Sequence, residues 1–313
     1  MPLDLKNLEL FVRVAALKGI GRAGEELGLS ATNSSLRLQA LEEELGAKLL
    51  NRTTRSVSLT ADGDVFLEHA KRVLDEVEEA KSILSSSEAS LTGTLRVTAP
   101  ATFARTHIVP FLPEFSRRFP ELVVDLHLSD GIIDIVEQGF DLAFRIGELA
   151  PSTLLARKID DNPECLVASP AYIERFGMPE TPADLSQHNC LPLGRNTTWR
   201  LKGRDDKIQA IHATGSIYAN LGDAISDLVL AGVGVGHASL WRAGNDLRAG
   251  ALVPVLPDYR LAPETKIWAV RSPGRNMPKR VQFFLEFMQG QIRETNEQCY
   301  GDLLKTLFAR KAG

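Results

Sequence analysis

Short polar side chains at the start of one predicted helix are suited to hydrogen bonding with the edges of nucleic acid bases. This helix follows the turn Gly28-Leu29-Ser30, and Ser30 is a typical N-cap because its hydroxyl can accept from an otherwise unpaired backbone N–H. Four residues at spacings of four, three and four are expected to face the core: Ser34, Leu38, Leu41 and Leu45. The cap and the residues on the remaining faces are predicted to contact DNA: Ser30, Ala31, Thr32, Asn33, Ser35, Leu36, Arg37 and Gln39.

Two short helical patterns between Gly21 and Gly46 position these side chains as a helix-turn-helix. The alternative is a pair of amphipathic helices inside any α-rich domain. The next segment favours DNA binding, because Val57 and Leu59 alternate as in a short strand of a basic hairpin, or wing. Its side chains are expected to contact phosphates or a minor groove: Arg52, Thr53, Thr54 and Arg55.

Residues 3–60 resemble the winged helix-turn-helix of the LysR-type transcriptional regulators. The pattern that carries the resemblance is Phe11, Ala23, Leu27, Ser30, Ser35, Leu41-Glu42, Leu45-Gly46, Leu49, Arg52 and Leu59-Thr60. The departures are local, among them Ser34 at a position that is usually apolar in the family. The resemblance implies sequence-specific binding to double-stranded DNA.

A helical pattern without Pro or Gly after Gly63 predicts a linker helix over residues 61–90. Its apolar residues follow a 3.5-residue period, which is typical of a coiled-coil seam between two copies: Phe66, Ala70, Val73, Val77, Ala80 and Leu84. The alternative is a helix that packs on its own domain. The small polar run Ser85–Ser90 indicates a domain boundary.

Strand and helix patterns alternate from residue 91 to residue 292 and predict a parallel sheet covered by helices, including a helix over Ile132–Gln138. The segment is similar to the co-inducer domain of LysR-type regulators, which resembles periplasmic binding proteins. The motifs that match include Gly93–Val97, Gly139–Gly147, Ala168–Tyr172 and Leu256–Tyr259. The predicted fold class is therefore α/β, with an N-terminal winged helix-turn-helix, a long linker helix and a two-lobed periplasmic-binding-protein-like effector domain. Lobe one is expected to comprise 93–160 and 266–292, lobe two 163–263, and residues 293–313 an extra amphipathic C-terminal helix.

Ligands of two-lobed α/β domains lie in the crevice at the carboxyl ends of the strands. By that rule the effector site is predicted to be lined by Pro100, Ala101, Thr102, Phe103, Ser129, Asp130, Arg145, Gly147, Arg195, Trp199, Asn220 and His237. A hydroxyl and an arginine counter-ion would suit a small carboxylic or aromatic acid. Three of these residues also have a purely structural interpretation. Thr102 could cap a helix, Arg145 could pair with Asp134 or Asp141, and His237 could be a core residue.

The charge and cysteine content limit the other function classes. The net charge is −4, but residues 1–60 carry 8 Lys and Arg against 7 Asp and Glu. The three cysteines, Cys165, Cys190 and Cys299, have no Cys-x-x-Cys spacing, so neither a metal nor a cofactor is predicted. A thiol-based redox switch between Cys165 and Cys190 is an alternative way of sensing.

No sequence motif of catalysis is present. The glycine run Gly232–Gly236 follows a helical pattern instead of a strand, so it is not expected to bind a dinucleotide, and no Gly-x-Ser-x-Gly occurs. The N-terminal residues do not form a signal peptide, which argues against a periplasmic solute-binding protein. The chain is therefore interpreted as a cytoplasmic, effector-responsive transcription regulator that does not bind membranes. It is expected to form a homodimer that pairs into a tetramer, and RNA polymerase is a candidate further partner.

Overall fold

The computed structural model describes residues 4–52, 57–83, 91–131, 133–195, 197–273 and 277–307. The chain divides into two compact units, Met1–Thr94 and Leu95–Gly313. No helix among the described residues is both long and apolar enough to cross a membrane.

The described part of the first unit contains four helices and a short hairpin. In chain order these are α1 (Leu5–Leu17), α2 (Ile20–Glu26), α3 (Ala31–Leu45), β1 (Leu50–Arg52), β2 (Val57–Leu59) and α4 (Ala61–Ile83). The buried core is formed by Leu8, Leu10, Phe11, Val14, Ala23, Leu38, Leu41, Leu49, Leu50 and Ala70. The predicted winged helix-turn-helix is confirmed.

Local sequence signals fix both ends of α3. The Ser30 hydroxyl accepts from the backbone N–H of Asn33 at 3.3 Å, as its N-cap position predicts. The helix ends at Gly46, whose left-handed φ of 65° suits glycine. The prediction that Leu45 faces the core is wrong, because Leu45 is 36% exposed and Glu42 occupies the buried position instead.

Glu42 connects α3 to the hairpin. Its side chain is 3% exposed, and its Oε1 accepts from the backbone N–H groups of Leu49 at 2.9 Å and Leu50 at 3.1 Å. The Lys48 ammonium lies 3.3 Å from Oε2. The carboxylate therefore pairs two buried donors at the point where the chain enters β1, which sets the position of the wing relative to α3.

The helix α4 packs on the core of its own unit. The ring of Phe66 lies 5.6 Å from that of Phe11, and Ala70 is 1% exposed. Ala70 therefore belongs to the core of the unit, whereas Phe66 packs against that core and is only partly buried. The predicted seam between two copies stays a prediction. The exposed apolar residues near them are Val65, at 66%, and Val73, at 40%. The Ala80 side chain and Leu84 lie outside the described residues.

Among the described residues of the second unit, the strands form two larger sheets and one small sheet. The first stretch comprises β3 (Gly93–Ala99), α5 (Ala101–His107), α6 (Leu112–Arg118), β4 (Leu122–Leu128), β5 (Leu142–Gly147) and β6 (Leu155–Asn162). The middle stretch comprises β7 (Glu164–Ala168), α7 (Pro170–Phe176), β8 (Cys190–Leu191), β9 (Thr198–Lys202), β10 (Ile208–His212), α8 (Gly222–Leu230), β11 (Val235–Ser239), α9 (Leu240–Arg248), β12 (Val253–Val255) and β13 (Arg260–Leu261). The chain then returns through β14 (Thr265–Arg271) and ends in α10 (Lys279–Leu307).

The sheets are mixed, so the prediction of a parallel sheet is wrong. In lobe one the strand order is β4-β3-β5-β14-β6, with β3 parallel to β5 and β14 antiparallel to both of its neighbours. In lobe two the order is β12-β7-β11-β8, beside a small sheet β10-β9-β13. The return of residues 266–292 to lobe one was expected, but the sequence pattern did not reveal that β14 inserts between β5 and β6.

Two predicted helices differ from the structure. Residues 135–139 form turns instead of a helix, and the Asp134 carboxylate accepts from the backbone N–H of Val136 at 2.9 Å and of Glu137 at 3.0 Å; Ile132 lies outside the described residues. The Gln138 N–H also donates to Asp134 O at 3.2 Å, and the Phe140 N–H closes the segment on Ile135 O at 2.8 Å, so a single turn forms and does not continue as a helix. The predicted C-terminal extension is helical over residues 293–307, but it continues α10, which runs without a break for 29 residues, instead of forming an additional helix. No proline interrupts the pattern between the two halves of α10. Residues 308–313 lie outside the described residues.

Candidate DNA-binding surface and effector site

The start of α3 presents one exposed face. Ala31, Thr32, Asn33 and Leu36 are all exposed, Leu36 to 59%. Positions 32, 33 and 36 lie on the same side of a helix. Below this face, a Cβ on Gly24 would lie only 2.2 Å from the Ser34 hydroxyl, so glycine and serine together allow α2 and α3 to approach closely. The exposed face of α3 therefore lies on a helix that is tightly packed against α2.

Two predicted base-contacting side chains are engaged within the unit. Arg37 donates through Nη1 to Asn7 Oδ1 at 3.2 Å and lies 3.7 Å from Asp4 Oδ2 at the start of α1. Gln39 donates to Glu43 at 2.8 Å. Arg37 therefore anchors α3 to α1 in this structure. Ser35 is half-buried, and Ser30 is occupied as the cap.

The wing is an antiparallel pair in which Arg52 lies opposite Val57 and Leu50 opposite Leu59. Of the predicted wing contacts, Arg52 is described only by its backbone in β1. Thr53, Thr54 and Arg55 lie outside the described residues. The sequence pattern missed the roles of Asn7, which accepts from the Arg37 side chain, and of Glu42, which accepts from two backbone N–H groups. No periodicity marks a buried polar residue whose partner is distant in the chain.

The predicted effector site begins where β3 ends and α5 starts. Pro100 precedes α5, and the Ala101 N–H donates to Asp130 Oδ1 at 2.7 Å. The Ser129 hydroxyl accepts from the N–H of Gly131 at 3.2 Å. A carboxylate of the chain itself therefore occupies the anion-binding end of α5.

Thr102 lies at the contact between the two lobes. It is 7% exposed, and its hydroxyl oxygen has no hydrogen-bond partner among the described residues. This oxygen lies 3.8 Å from the position of a Cβ on Gly222, the first residue of α8. Because an unpaired buried hydroxyl is unfavourable, Thr102 is the predicted residue most suited to a ligand hydrogen bond.

Two of the predicted aromatic residues belong to the core. Phe103 is fully buried, stacked on His107 with ring centroids 4.6 Å apart and edge-on to Trp241 at 5.8 Å. Trp199 is 3% exposed within the core of lobe two. The prediction of Phe103 as a lining residue is wrong, because its ring packs inward among other aromatic rings. Trp199 stays a prediction, since its buried Nε1 has no hydrogen-bond partner among the described residues.

Arg145 is held by backbone carbonyl groups. Its guanidinium donates to Gly131 O at 3.2 Å and to Ile133 O at 2.9 Å, and burial lowers its pKa. It therefore stabilises the loop after β4. The carbonyl of Gly147 accepts from Trp268 Nε1 at 3.0 Å, so this residue is also engaged within lobe one.

The remaining predicted residues come from lobe two. Arg195 and Asn220 are exposed. His237 lies edge-on to Trp199 at 5.8 Å, and its Nδ1 is 3.5 Å from Glu164 Oε1. Because Glu164 Oε2 accepts from the Thr265 hydroxyl at 2.8 Å, His237 sits beside the strands that connect the lobes.

Sequence reasoning missed a group of charged residues next to Thr102. Arg105 of lobe one lies 3.5 Å from Asp223 of lobe two, and Asp223 in turn lies 3.0 Å from Arg242. These residues line a cavity of about 420 Å³ between α5, α8 and α9. The i, i+3 spacing of Thr102 and Arg105 on α5 was the available signal.

The cysteine geometry does not suit a disulfide between Cys165 and Cys190. Cys165 pairs with Ala238 and Cys190 with Val235, so β11 separates them and they are offset by three residues. The separation is about 10 Å across the sheet and about 10 Å along it, whereas a disulfide needs Cα atoms within about 7 Å. Burial raises the pKa of each thiol to about 12.

Among the described residues no group of His, Cys, Asp and Glu could hold a metal ion.

Buried His107 is expected to make the stability of the second unit depend on pH. Burial lowers its pKa from the ordinary 6.5, and Nε2 contacts Asn296 Oδ1 at 2.9 Å. The unfolded chain therefore binds a proton that the folded chain excludes, so stability is greatest above about pH 6.5 and falls as the pH drops below it. His107→Gln should reduce the fall in Tm between about pH 7.5 and about pH 5. The exposed His212→Gln is the control, and an equal fall in Tm in all three proteins would contradict the assignment.

A winged helix-turn-helix followed by a two-lobed α/β unit defines a class of protein, the DNA-binding transcription regulators with a sensory domain. Residues 5–64 match the family model described as bacterial regulatory helix-turn-helix protein, lysR family, and residues 88–293 match the LysR substrate binding domain. The chain belongs to the LysR family. Its members are transcriptional regulators, not enzymes, and they bind DNA and small-molecule effectors and form oligomers.

The similarity to known proteins extends over nearly the whole chain. An HTH-type transcriptional regulator of Xanthomonas campestris is 35% identical over 99% of this chain and 91% of its own length. The regulator DmlR of Escherichia coli is 32% identical over 93% of this chain and 95% of its own. The structure of CrgA, a LysR-type transcriptional regulator from Neisseria meningitidis, is 29% identical with a TM-score of 0.59, covering 93% of this chain and 99% of its own.

Proposed function

We propose that the chain regulates transcription by placing the start of α3 in the major groove of its target DNA. The observation that carries this proposal is the exposed face of Ala31, Thr32, Asn33 and Leu36 at a capped helix start. A hydroxyl and an amide at this position match the donor and acceptor pattern of base edges. The wing, with Arg52, contacts phosphate or a minor groove and fixes the register.

The active form in this proposal is a homodimer in the cytoplasm. One short recognition helix reads few base pairs, whereas two copies read two half-sites at a fixed spacing. The exposed Val65 and Val73 on α4, with half-buried Val77, supply an apolar surface for the pairing. Dimers pair further into a tetramer, and RNA polymerase is the partner through which bound protein acts on transcription.

The effector in this proposal is a small carboxylic or aromatic acid bound between the lobes. The unpaired hydroxyl of Thr102 and the exposed guanidinium groups of Arg105 and Arg195 support this class of ligand. Effector binding shifts a pre-existing equilibrium between lobe arrangements. The shift changes the spacing between the two winged helix-turn-helix units of the dimer. The separation of Cys165 from Cys190 favours this non-covalent mechanism over a disulfide switch.

Footprinting on the intergenic DNA beside the protein's own gene tests the proposal, with and without a panel of small carboxylic and aromatic acids. A symmetric protected site that changes in length or position with one acid is the expected result. A site that no acid changes would contradict the effector class while leaving DNA binding intact. No protection at low salt would contradict DNA binding itself.

A further inference from the structure

We propose that the C-terminal half of α10 is a strap that couples the two lobes, so that a change in the angle between them requires α9 to shift along α10 or to release it. The strap comprises residues 294–307, which lie beyond the end of the LysR substrate binding domain match at residue 293. The inference goes beyond the proposed function, since it holds whatever the effector is.

The N-terminal half of α10 is fixed to lobe one. The Phe284 ring packs edge-on against Phe115 with centroids 5.0 Å apart, and Phe284 and Met288 are fully buried. Arg280 donates to Asp141 at 3.3 Å. This half of the helix therefore moves with the sheet of lobe one.

The middle of α10 is attached where the chain crosses between the lobes. Arg293 donates to Ile159 O at 3.3 Å. The Asn296 amide, in a residue that is 2% exposed, donates to Asp160 at 2.7 Å and contacts His107 at 2.9 Å. Buried Asn296 thus links α10 to both α5 and the end of β6, and losing either bond would leave a buried polar group unpaired.

The C-terminal half is attached to α9 of lobe two. A Cβ on Gly244 would lie 2.3 Å from the carbonyl oxygen of Cys299, so only glycine permits this approach of the two helices. The Arg248 guanidinium donates to both carboxylate oxygens of Asp302, with Nε 3.1 Å from Oδ2. It also donates to the backbone carbonyl oxygen of Gln298 at 3.0 Å. The same ion pair lowers the pKa of Asp302.

A continuous helix that is attached to both lobes restricts the hinge between them. Within the described part of the second unit, the covalent chain crosses between the lobes near Pro163 and near Glu264, and two crossings alone permit rotation. The 29 residues of α10 form a rigid rod about 44 Å long, because a helix rises about 1.5 Å per residue. Its two attachments therefore contribute to the resting angle together with the packing of Phe103 of lobe one against Trp241 of lobe two. Weakening one of the attachments changes the population of lobe arrangements without contact with a ligand.

The test measures the distance between the lobes in the full-length protein by pulsed electron paramagnetic resonance. Spin labels are placed at Glu114→Cys on α6 and Glu174→Cys on α7, both exposed, in a Cys299→Ser background that keeps the backbone carbonyl. Labelled chains are diluted with unlabelled chains so that distances within one chain are recorded. Arg248→Ala is expected to broaden and shift the distance distribution, and Gly244→Ala to do so more strongly.

Arg204→Ala is the matched control, because Arg204 forms a similarly close exposed pair with Asp258 entirely within lobe two. Its distribution is expected to equal that of the parent, while Tm falls by a similar small amount in Arg204→Ala and Arg248→Ala. An unchanged distribution in Arg248→Ala would overturn the proposal. Equal broadening in Arg204→Ala would also overturn it. If Gly244→Ala fails to fold, the comparison of the two arginine variants still decides.

Discussion

Replacing Glu42 with alanine is expected to destabilise the DNA-binding unit by about 2 to 4 kcal/mol, because two buried N–H groups would lose their acceptor. Those donors belong to Leu49 and Leu50 and lie 2.9 Å and 3.1 Å from Oε1 of Glu42. The hairpin would detach from α3, so DNA affinity should fall as well. Denaturant unfolding of the full-length protein, with hydrogen exchange over residues 31–60, measures the loss.

Two further variants sharpen this test. Glu42→Gln keeps an acceptor oxygen at the same position and should lose less than half as much stability as the alanine variant. Glu44→Ala removes an exposed carboxylate two residues further along α3 and should change the stability by less than about 0.5 kcal/mol. If Glu42→Ala were as stable as Glu44→Ala, the anchoring role of Glu42 would be refuted.

Asn33→Ala is expected to weaken binding to the target site by about 1 to 3 kcal/mol, or roughly 5- to 150-fold, because an amide can bond an adenine edge through two hydrogen bonds. Affinity for random DNA should change little. The fold should be unaffected, since the side chain is exposed and the backbone N–H of residue 33 keeps its bond to Ser30. Equilibrium titrations with target and random duplexes at matched salt give the comparison.

Arg52→Ala provides the contrasting outcome. Loss of a phosphate contact should weaken binding to every sequence and reduce the slope of log affinity against log salt by about 1. The two variants thus separate base readout from positioning on the backbone. Equal losses on target and random DNA in both variants would contradict the assigned roles.

The sequence predicted best those features that depend on neighbouring residues. The Ser30 cap and the glycine end of α3 follow from local hydrogen bonding and dihedral preference, and the structure confirms both. The alternation of Val57 and Leu59 also predicted the hairpin, because this pattern too depends on neighbouring residues.

Features that depend on distant parts of the chain were predicted poorly. A 3.5-residue period identified the apolar positions of α4 but could not distinguish a partner helix from the unit's own core, which receives Phe66 and Ala70. The crevice rule placed both Thr102 and Arg145 in the effector site. The guanidinium of Arg145 instead binds backbone carbonyls 12 to 14 residues away in the chain, which no local pattern indicates. Likewise, no periodicity could indicate that β14 inserts between two earlier strands.

In the proposed complex, two copies of α3 read two half-sites of the DNA. A decisive comparison is that between the affinity of the full-length protein for its footprinted site and its affinity for the same fragment after one half-site is scrambled. Scrambling either half is expected to cost about 4 kcal/mol or more, most of the difference between specific and non-specific binding. Equal affinity for the intact and half-scrambled fragments would contradict this arrangement.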